Sequence, residues 1–479
     1  MMKYQEVLQL CVEQGIKLSV LEGNLKVSAA KGKMTAQIAE GLKLHKEAIL
    51  AQLQQHTEQM NWRIDKQEQR NDAPVSFAQK RFWMLQSIMP NTSAYHIPGS
   101  FALKGQLDVT CLQAAFRQLA KQHEILRTVY REHENQLVQN VLSSVNVDFE
   151  LVDLSHLTED KALALAVNEQ KKRLFTTPFD LEQKPPFRSC VLKCPNDVFE
   201  VLLCVHHIAA DAWSIPLFLQ ELESNYKALE QGSLTDVQPQ LEYLDYAVWQ
   251  QERAKQGVYD KQLAYWQKQL SGIGQVHGIP TDFARPQNVL GQLGIHDVSL
   301  TGEVYKKLMA HVENASHTLF SVLHTALSAF LHRWCGDETI TVGSPVSGRH
   351  QKELESMLGC FINSIAIKTK PNVELSFNQF LTQVAGTVST ALEHQELPFD
   401  SIIETLPIER HLAINPVFQI MLALQTGGQS QDKFHNLDLQ ASASQHSDAK
   451  LDLTLNVTNT DKGLYISWQY AESLFSPET

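Results

Sequence analysis

The stretch FEVLLCVHHIAADAWSIPLFLQEL, Phe199 to Leu222, reads in succession as a strand, a turn and a helix. Phe199 to Val205 is an apolar run of the length a buried strand takes. Ser214 or Asp211 then offers a side-chain oxygen to cap a helix in which Ile215, Phe218, Leu219, Leu222, Tyr226 and Leu229 recur every three or four residues. A polar group at such a turn is held by the scaffold and can still face a cleft. His206 and His207 stand at that point. Successive side chains of an extended segment oppose, so one imidazole enters a cleft and the other enters the scaffold. Three chemistries fit: a satisfied structural pair, an imidazole for proton traffic near neutral pH, or metal ligation by His206, His207 and Asp211. No further ligand cluster accompanies the last.

Around this stretch lies an ordinary globular composition. The chain has 479 residues, 43% hydrophobic and 20% charged, enough for two to four domains with buried cores. Its net charge of −12 opposes non-specific binding to nucleic acid and favours small molecules or proteins as partners. Seven scattered cysteines without a CxxC suit reduced thiols. No signal peptide is evident and no run approaches a membrane-spanning length, so a cytoplasmic location with no membrane partner is expected. Helical patterns at 76–89, 109–125, 214–231, 244–270 and 317–334 alternate with β-rich runs at 98–104, 136–150, 199–206, 338–343, 361–368, 417–424 and 464–470. This is an α/β chain. GIGQVHG at 272–278 fails the spacing of a phosphate loop, and neither a GxSxG elbow nor an HExxH helix occurs.

The first 56 residues read as a separate unit. A short helical pattern at 3–14 stops at Gly15, the alternation of IKLSVLEGNLKVSA predicts a hairpin turning at Glu22-Gly23-Asn24, and Thr35 caps a second helix. A two-stranded sheet leaves open edges that invite a partner strand. Through Arg63 this segment carries +2, leaving −14 for the rest, which hints at an acidic partner met by Lys26, Val27, Lys31 and Lys33; a solvated surface with incidental charge is the plainer alternative. Residues 57–73 are polar and aperiodic, as a linker is.

Seven stretches occur in one order: SFAQKRFWML (76–85), KQHEILRTVY (121–130), HHIAADAWS (206–214), YLDYAVW (243–249), VGSPVSGR (342–349), GCFINSIAIK (359–368) and HQELPFDSII (394–403). Together they resemble the motifs of condensation domains from nonribosomal peptide synthetases, with HHIAADAWS similar to the HHxxxDG signature. The N-terminal unit resembles the β-hairpin docking domains that open some synthetase subunits.

The resemblance implies a fold related to chloramphenicol acetyltransferase, with two αβ lobes forming a V (74–250 and 251–479) behind a small αββα docking domain (1–56). It implies amide formation between an upstream carrier-bound acyl or peptidyl thioester and the amine of a downstream carrier-bound aminoacyl thioester. Phosphopantetheine arms on carrier proteins would deliver both through a tunnel, with no cofactor of the domain's own, and the C-terminal tail of an upstream subunit would bind the docking domain. By position, His207 is the candidate active-site imidazole and His206 the scaffold-facing member. Asp211 is mainly structural, with Arg349 its ion-pair partner, and Trp213 and Arg127 belong to the motifs.

Three positions depart from the family pattern. Ala212 stands where Gly is usual, which questions tunnel width or backbone freedom. Gln122 replaces an Arg, leaving Arg127 as that motif's guanidinium. Cys360 stands where Phe is common and reads as a small buried hydrophobe. A cyclisation-type relative would carry two Asp in place of the His pair; an epimerisation-type relative shares the pair, but PVSGR followed by GCFINS fits condensation better. A catalytically silent carrier-binding scaffold is the reading from another class. Ser476 and Pro477 predict a helix starting at the C-terminus, and from this a longer subunit is expected to continue beyond it.

Overall fold

The computed structural model describes residues 16–21, 24–28, 35–46, 49, 63–144, 147–235, 238–287, 290–315, 317–409, 411, 413–426, 433–441 and 448–479. Two compact units are present, residues 1–65 and 66–479. In the first, β1 (Lys17–Leu21) and β2 (Asn24–Ser28) pair antiparallel with Leu21 opposite Asn24, the hairpin expected from the alternation. α1 (Ala36–Leu44) follows, its first turn capped by Thr35, whose hydroxyl accepts from Ile38 N at 3.3 Å. Ile38, Leu42 and Ile49 are buried. The helix expected at 3–14, and Lys31 and Lys33, lie outside the described residues.

The second unit is built on two six-stranded sheets. Its first half runs β3 (Ala73–Pro74), α2 (Phe77–Ile88), β4 (His96–Lys104), α3 (Val109–Gln122), β5 (Thr128–His133), β6 (Gln136–Val141), β7 (Phe149–Asp153), α4 (Asp160–Thr176), β8 (Phe187–Cys194), β9 (Val198–His206), α5 (Ser214–Glu230) and α6 (Tyr243–Lys255). The second half runs α7 (Asp260–Gln269), β10 (Leu293–Thr301), α8 (Gly302–Ala315), α9 (Leu319–Cys335), β11 (Ile340–Val346), α10 (Lys352–Glu355), β12 (Asn363–Thr369), α11 (Phe377–Glu393), α12 (Phe399–Thr405), β13 (Ile420–Thr426), β14 (Lys433–Phe434), β15 (Leu437–Ala441), β16 (Leu453–Thr460) and β17 (Gly463–Ala471). The first sheet has the order β14-β15-β4-β9-β8-β7, the second β10-β17-β16-β13-β11-β12, and β3-β6-β5 form a small third sheet.

β9 lies inside the first sheet and is buried on both faces, which is why Val201 to Val205 is apolar at every position. Its last residue, His206, faces His96 across the antiparallel register with β4. α5 lays Phe218, Leu222 and Tyr226 into the core, and Pro216 is tolerated because it falls in the first turn, where its missing N–H costs nothing.

Several expectations need correction. The pattern at 244–270 is two helices, α6 and α7, parted where Gly257 takes φ +71, a conformation that favours glycine. The run at 136–150 is likewise two strands. A lobe boundary at 250/251 falls inside α6, and β14 and β15, numerically in the second lobe, belong to the first sheet, where Leu439 pairs Leu103. The C-terminal segment makes a single turn: Thr479 N donates to Ser476 O at 3.2 Å, while Ser476 N donates to Asp282 at 2.8 Å. No described helix is long and apolar enough to cross a membrane.

Candidate functional site

His206 and His207 leave the end of β9 in opposite senses. His206 is fully buried, and its Nδ1 accepts from Ile208 N at 3.1 Å, so its proton sits on Nε2. The ring meets Phe179 edge-on at 5.6 Å. Burial first, then the charges of His96 and Arg188, pushes its pKa down to about 3, so the ring is neutral. Arg188 lies beneath, donating to Leu174 O at 2.8 Å at the end of α4 and resting 4.1 Å from the Phe179 ring.

His207 is half-buried, its ring stacked on Phe82 at 5.2 Å and 8°. Its backbone N–H donates to Tyr95 O at 2.8 Å, and its Nδ1 lies 3.2 Å from the Ala210 carbonyl. A carbonyl only accepts, so Nδ1 carries the proton and Nε2 keeps its lone pair. Burial first, then the positive charge of Lys450, holds His207 well below the ordinary imidazole pKa. Lys450 itself is reached by solvent yet walled by protein, and that lost hydration, with Arg81's charge second, lowers its ammonium to about 8. Arg81 reaches Asp400 at 3.7 Å.

The turn after His207 is held by Asp211. Its carboxylate accepts from Ser214 N and Ser214 Oγ, both at 2.8 Å, from Phe361 N at 3.0 Å and from Arg349 Nη2 at 3.1 Å. Arg349 also donates to Ser214 Oγ at 2.9 Å, to Met357 O at 2.7 Å and to Leu354 O, and its guanidinium lies 4.1 Å from the Phe361 ring. Gly348 is obligatory beside it: φ is +66, and a Cβ would stand 2.0 Å from Phe361 O. A second knot forms at Tyr243, which donates to Cys360 O and meets Ser76 Oγ at 2.8 Å; a Cβ on Gly359 would lie 1.9 Å from its ring. Asn363 adds a third, donating to Gln395 O at 2.8 Å and Leu397 O at 2.7 Å.

Trp213 is exposed and donates from Nε1 to Glu355 O at 2.9 Å. Ala212 is exposed and is not among the described residues with positive φ, so this turn does not require glycine for its backbone. Arg127 stands apart from the His pair, donating to Leu142 O at 2.6 Å and reaching Glu124 at 3.8 Å. Gln122 accepts from Asn225 Nδ2 at 2.8 Å, tying α3 to α5. Cys360 is fully buried, and burial raises its thiol pKa. Six cysteines are free among the described residues. No cluster of three or more His, Cys, Asp or Glu is placed to hold a metal among the described residues.

Sequence reasoning missed Tyr95, Lys450 and Asp448. Asp448 Oδ2 accepts from Ser93 N at 2.9 Å and Thr92 Oγ1 at 3.2 Å, pinning the Lys450 segment to the turn that ends at Tyr95. Ser214 was visible only as a cap and proves to be shared by Asp211, Arg349 and Gly359, whose carbonyl lies 2.8 Å from its Oγ.

A strand-turn-helix bearing an HHxxxD turn, clamped by an arginine from the other half, defines the condensation-domain class. The chain belongs to that family: residues 69–479 match the condensation domain model, and residues 5–55 match the TubC N-terminal docking domain. It is similar to a linear gramicidin synthase protein of Brevibacillus parabrevis, 34% identical over 413 residues that make up 85% of this chain and 5% of that protein. Tyrocidine synthase 2 of Brevibacillus parabrevis is 32% identical over 90% of this chain and 12% of its own length. The chain therefore spans a small part of the curated relatives it matches. Among solved structures, the X-domain from teicoplanin biosynthesis, in complex with OxyB, has a TM-score of 0.79 at 24% identity, over 87% of this chain and 91% of that one. That likeness shows the fold, which is mixed α/β.

Proposed function

We propose that this chain joins an upstream carrier-bound acyl or peptidyl thioester to the amine of a downstream carrier-bound aminoacyl thioester, and that its docking domain receives the subunit bringing the donor. The observation that carries the reading is His207: a neutral ring at a strand end, Nδ1–H committed to Ala210 O and Nε2 free to accept.

In this reading the two phosphopantetheine arms, borne by the carriers, bring thioester and amine to Nε2. The amine nitrogen attacks the thioester carbonyl carbon, the C–N bond forms and the C–S bond breaks. Nε2 accepts the amine's hydrogen bond and then its proton, which passes to the departing thiolate. An α-amine titrates at ~8, so about a tenth of it is already nucleophilic at pH 7, and much of the acceleration comes from holding the two groups together. Asp211 and Arg349 keep the turn in register and touch no reacting atom.

The test is amide product, read by mass spectrometry, from donor- and acceptor-loaded carriers. His207→Ala should abolish or greatly slow product while the melting temperature stays near wild type. Near wild-type turnover by His207→Ala would sink the assignment. A scaffold reading draws on Ala212 and on the X-domain's complex with OxyB. It would be favoured by intact carrier binding with no product from any plausible pair.

A further inference from the structure

A cavity of about 380 Å³ opens on the second half of the large unit, at the opposite end of β12 from the Phe361–Asp211 contact. It is lined by Lys268 from the last turn of α7, Lys368 near the end of β12 and Lys370 just beyond it, and Phe380, Gln383 and Val384 from α11. Lys368 and Lys370 are two apart on an extended segment, so they share a face. The Lys368 ammonium is fixed, donating to Ser271 O at 2.6 Å, and partial burial, followed by the charge of Lys370, lowers its pKa.

A plain explanation is available: lysines gather where α7 presents its C-terminal carbonyls. One carbonyl, however, does not balance three ammonium groups, and no acidic side chain lines the cavity. In a chain with 53 acidic and 41 basic residues, a concave site with three cations and no anion is a departure from the rest of the chain. Three convergent charges favour a multiply charged anion over a lone carboxylate, since lysine binds phosphate as a point charge. The volume is at the lower end of small-molecule sites, and Phe380, 5% exposed, presents the apolar edge among the lining residues that an organic body would meet.

We infer that this cavity binds an organic phosphate, with the phosphate groups between Lys268, Lys368 and Lys370 and the attached body against Phe380. The shared chemistry is the phosphate. A free polyphosphate and a phosphopantetheine-type molecule are its two sources, and the probes separate them.

The experiment is calorimetry of the full chain with inorganic pyrophosphate, coenzyme A and phosphate-free pantetheine, each at matched ionic strength. Pyrophosphate and coenzyme A should bind in a manner that the lysine variants weaken, whereas any pantetheine binding, at the His207 site that receives the arms, should not respond to them. Tighter variant-sensitive binding of coenzyme A than of pyrophosphate supports the body against Phe380, and equal binding overturns the organic-phosphate assignment. The Lys368→Gln/Lys370→Gln double variant should bind about tenfold more weakly. Gln383→Glu, an exposed substitution on α11 that leaves the lysines in place, should weaken binding similarly. Unperturbed binding in both variants, or phosphates binding no better than chloride at equal ionic strength, would overturn the inference and make the lysines a solvated face.

Discussion

Removing Asp211 or Arg349 should unfold the His207 turn, and the two losses should not add. Both side chains are almost wholly buried, at 3% and 8% exposure. Asp211→Ala leaves the Arg349 charge without a counter-ion, a cost of ~3–5 kcal/mol, and also orphans the N–H groups of Ser214 and Phe361. Arg349→Ala strands the carboxylate, but that carboxylate keeps donors from Ser214 and Phe361, which stabilise an anion. Its cost therefore belongs at the lower end, about 3 kcal/mol. Against a whole-protein stability of roughly 5–15 kcal/mol, either is severe. The double variant removes both charges together, so it should cost less than the sum of the two single losses by ~1–3 kcal/mol. Urea titrations at pH 7 followed by circular dichroism give all three midpoints. Simple additivity, or a harmless Arg349→Ala beside a damaging Asp211→Ala, would refute the reasoning.

His206→Ala should cost ~2–4 kcal/mol by opening a cavity beside Phe179, and thermal melts should show it less stable than His207→Ala. Because the folded pKa of His206 lies near 3, below the unfolded value, this ring's contribution is present above pH 6.5 and is lost as pH falls toward 3; His206→Ala should lack that part of the acid slope. Glu242, buried and facing Glu124, is pushed up to about 8 from 4.5, so the folded form holds a proton the unfolded form has released. Stability should fall as pH rises from 4.5 to 8, and Glu242→Gln should be more stable by roughly 4 kcal/mol at pH 8 yet nearly equal near pH 4.5, checked by melts across that range. For the docking unit, an acidic tail peptide adding to a free edge of β1–β2 should bind with a Kd on the order of micromolar and weaken with salt by calorimetry. Unchanged binding with salt, or with a proline mid-strand in the peptide, would end that reading.

How much of this was legible depends on where each signal resides. β9 and α5 could be read because burial on both faces makes one strand uniformly apolar, and one buried helix face imposes a period of three to four. Thr35 was readable because capping is a contact three residues long. α6 and α7 merged because both carry amphipathic patterns and only a single glycine conformation at 257 separates them. β8 left too little contrast to stand out because Arg188 and Lys193 interrupt its apolar run. α11, by contrast, did carry a local signal that was passed over, Ser376 and Gln379 as a capping box ahead of Phe380, Leu381, Val384, Val388 and Ala391 at helical spacing. The addition of β15 to β4 was illegible in principle: a register between Leu439 and Leu103 is a long-range choice that neither segment records. The same holds for the site. Asp211 and Arg349 are 138 residues apart, so no local physics pairs them, and their pairing was anticipated only through the family resemblance. Lys450 had no such motif and was missed.

The seven stretches behave as one hydrogen-bonded object, and this explains why their order matters more than any single match. His207 rides on a first-sheet strand, but its turn is gripped by Arg349 and Phe361 from the second half. Its N–H is held by Tyr95, at the end of a turn that Asp448 pins from the same second half. Ser76 and Tyr243 tie two further stretches to Cys360 at one hydroxyl, Gln79 donates to the Tyr130 hydroxyl at 3.1 Å and brings in 121–130, and Asn363 passes the connection to the loop at 395–397. The position of Nε2 is thus a property of how the two halves are latched rather than of the strand that carries it. A small displacement of either half, by strain at Gly348 or Gly359, is carried directly to the imidazole. A reactive geometry is sensitive to shifts of about an ångström, so substitutions in these remote stretches should act on rate through His207's placement without touching it.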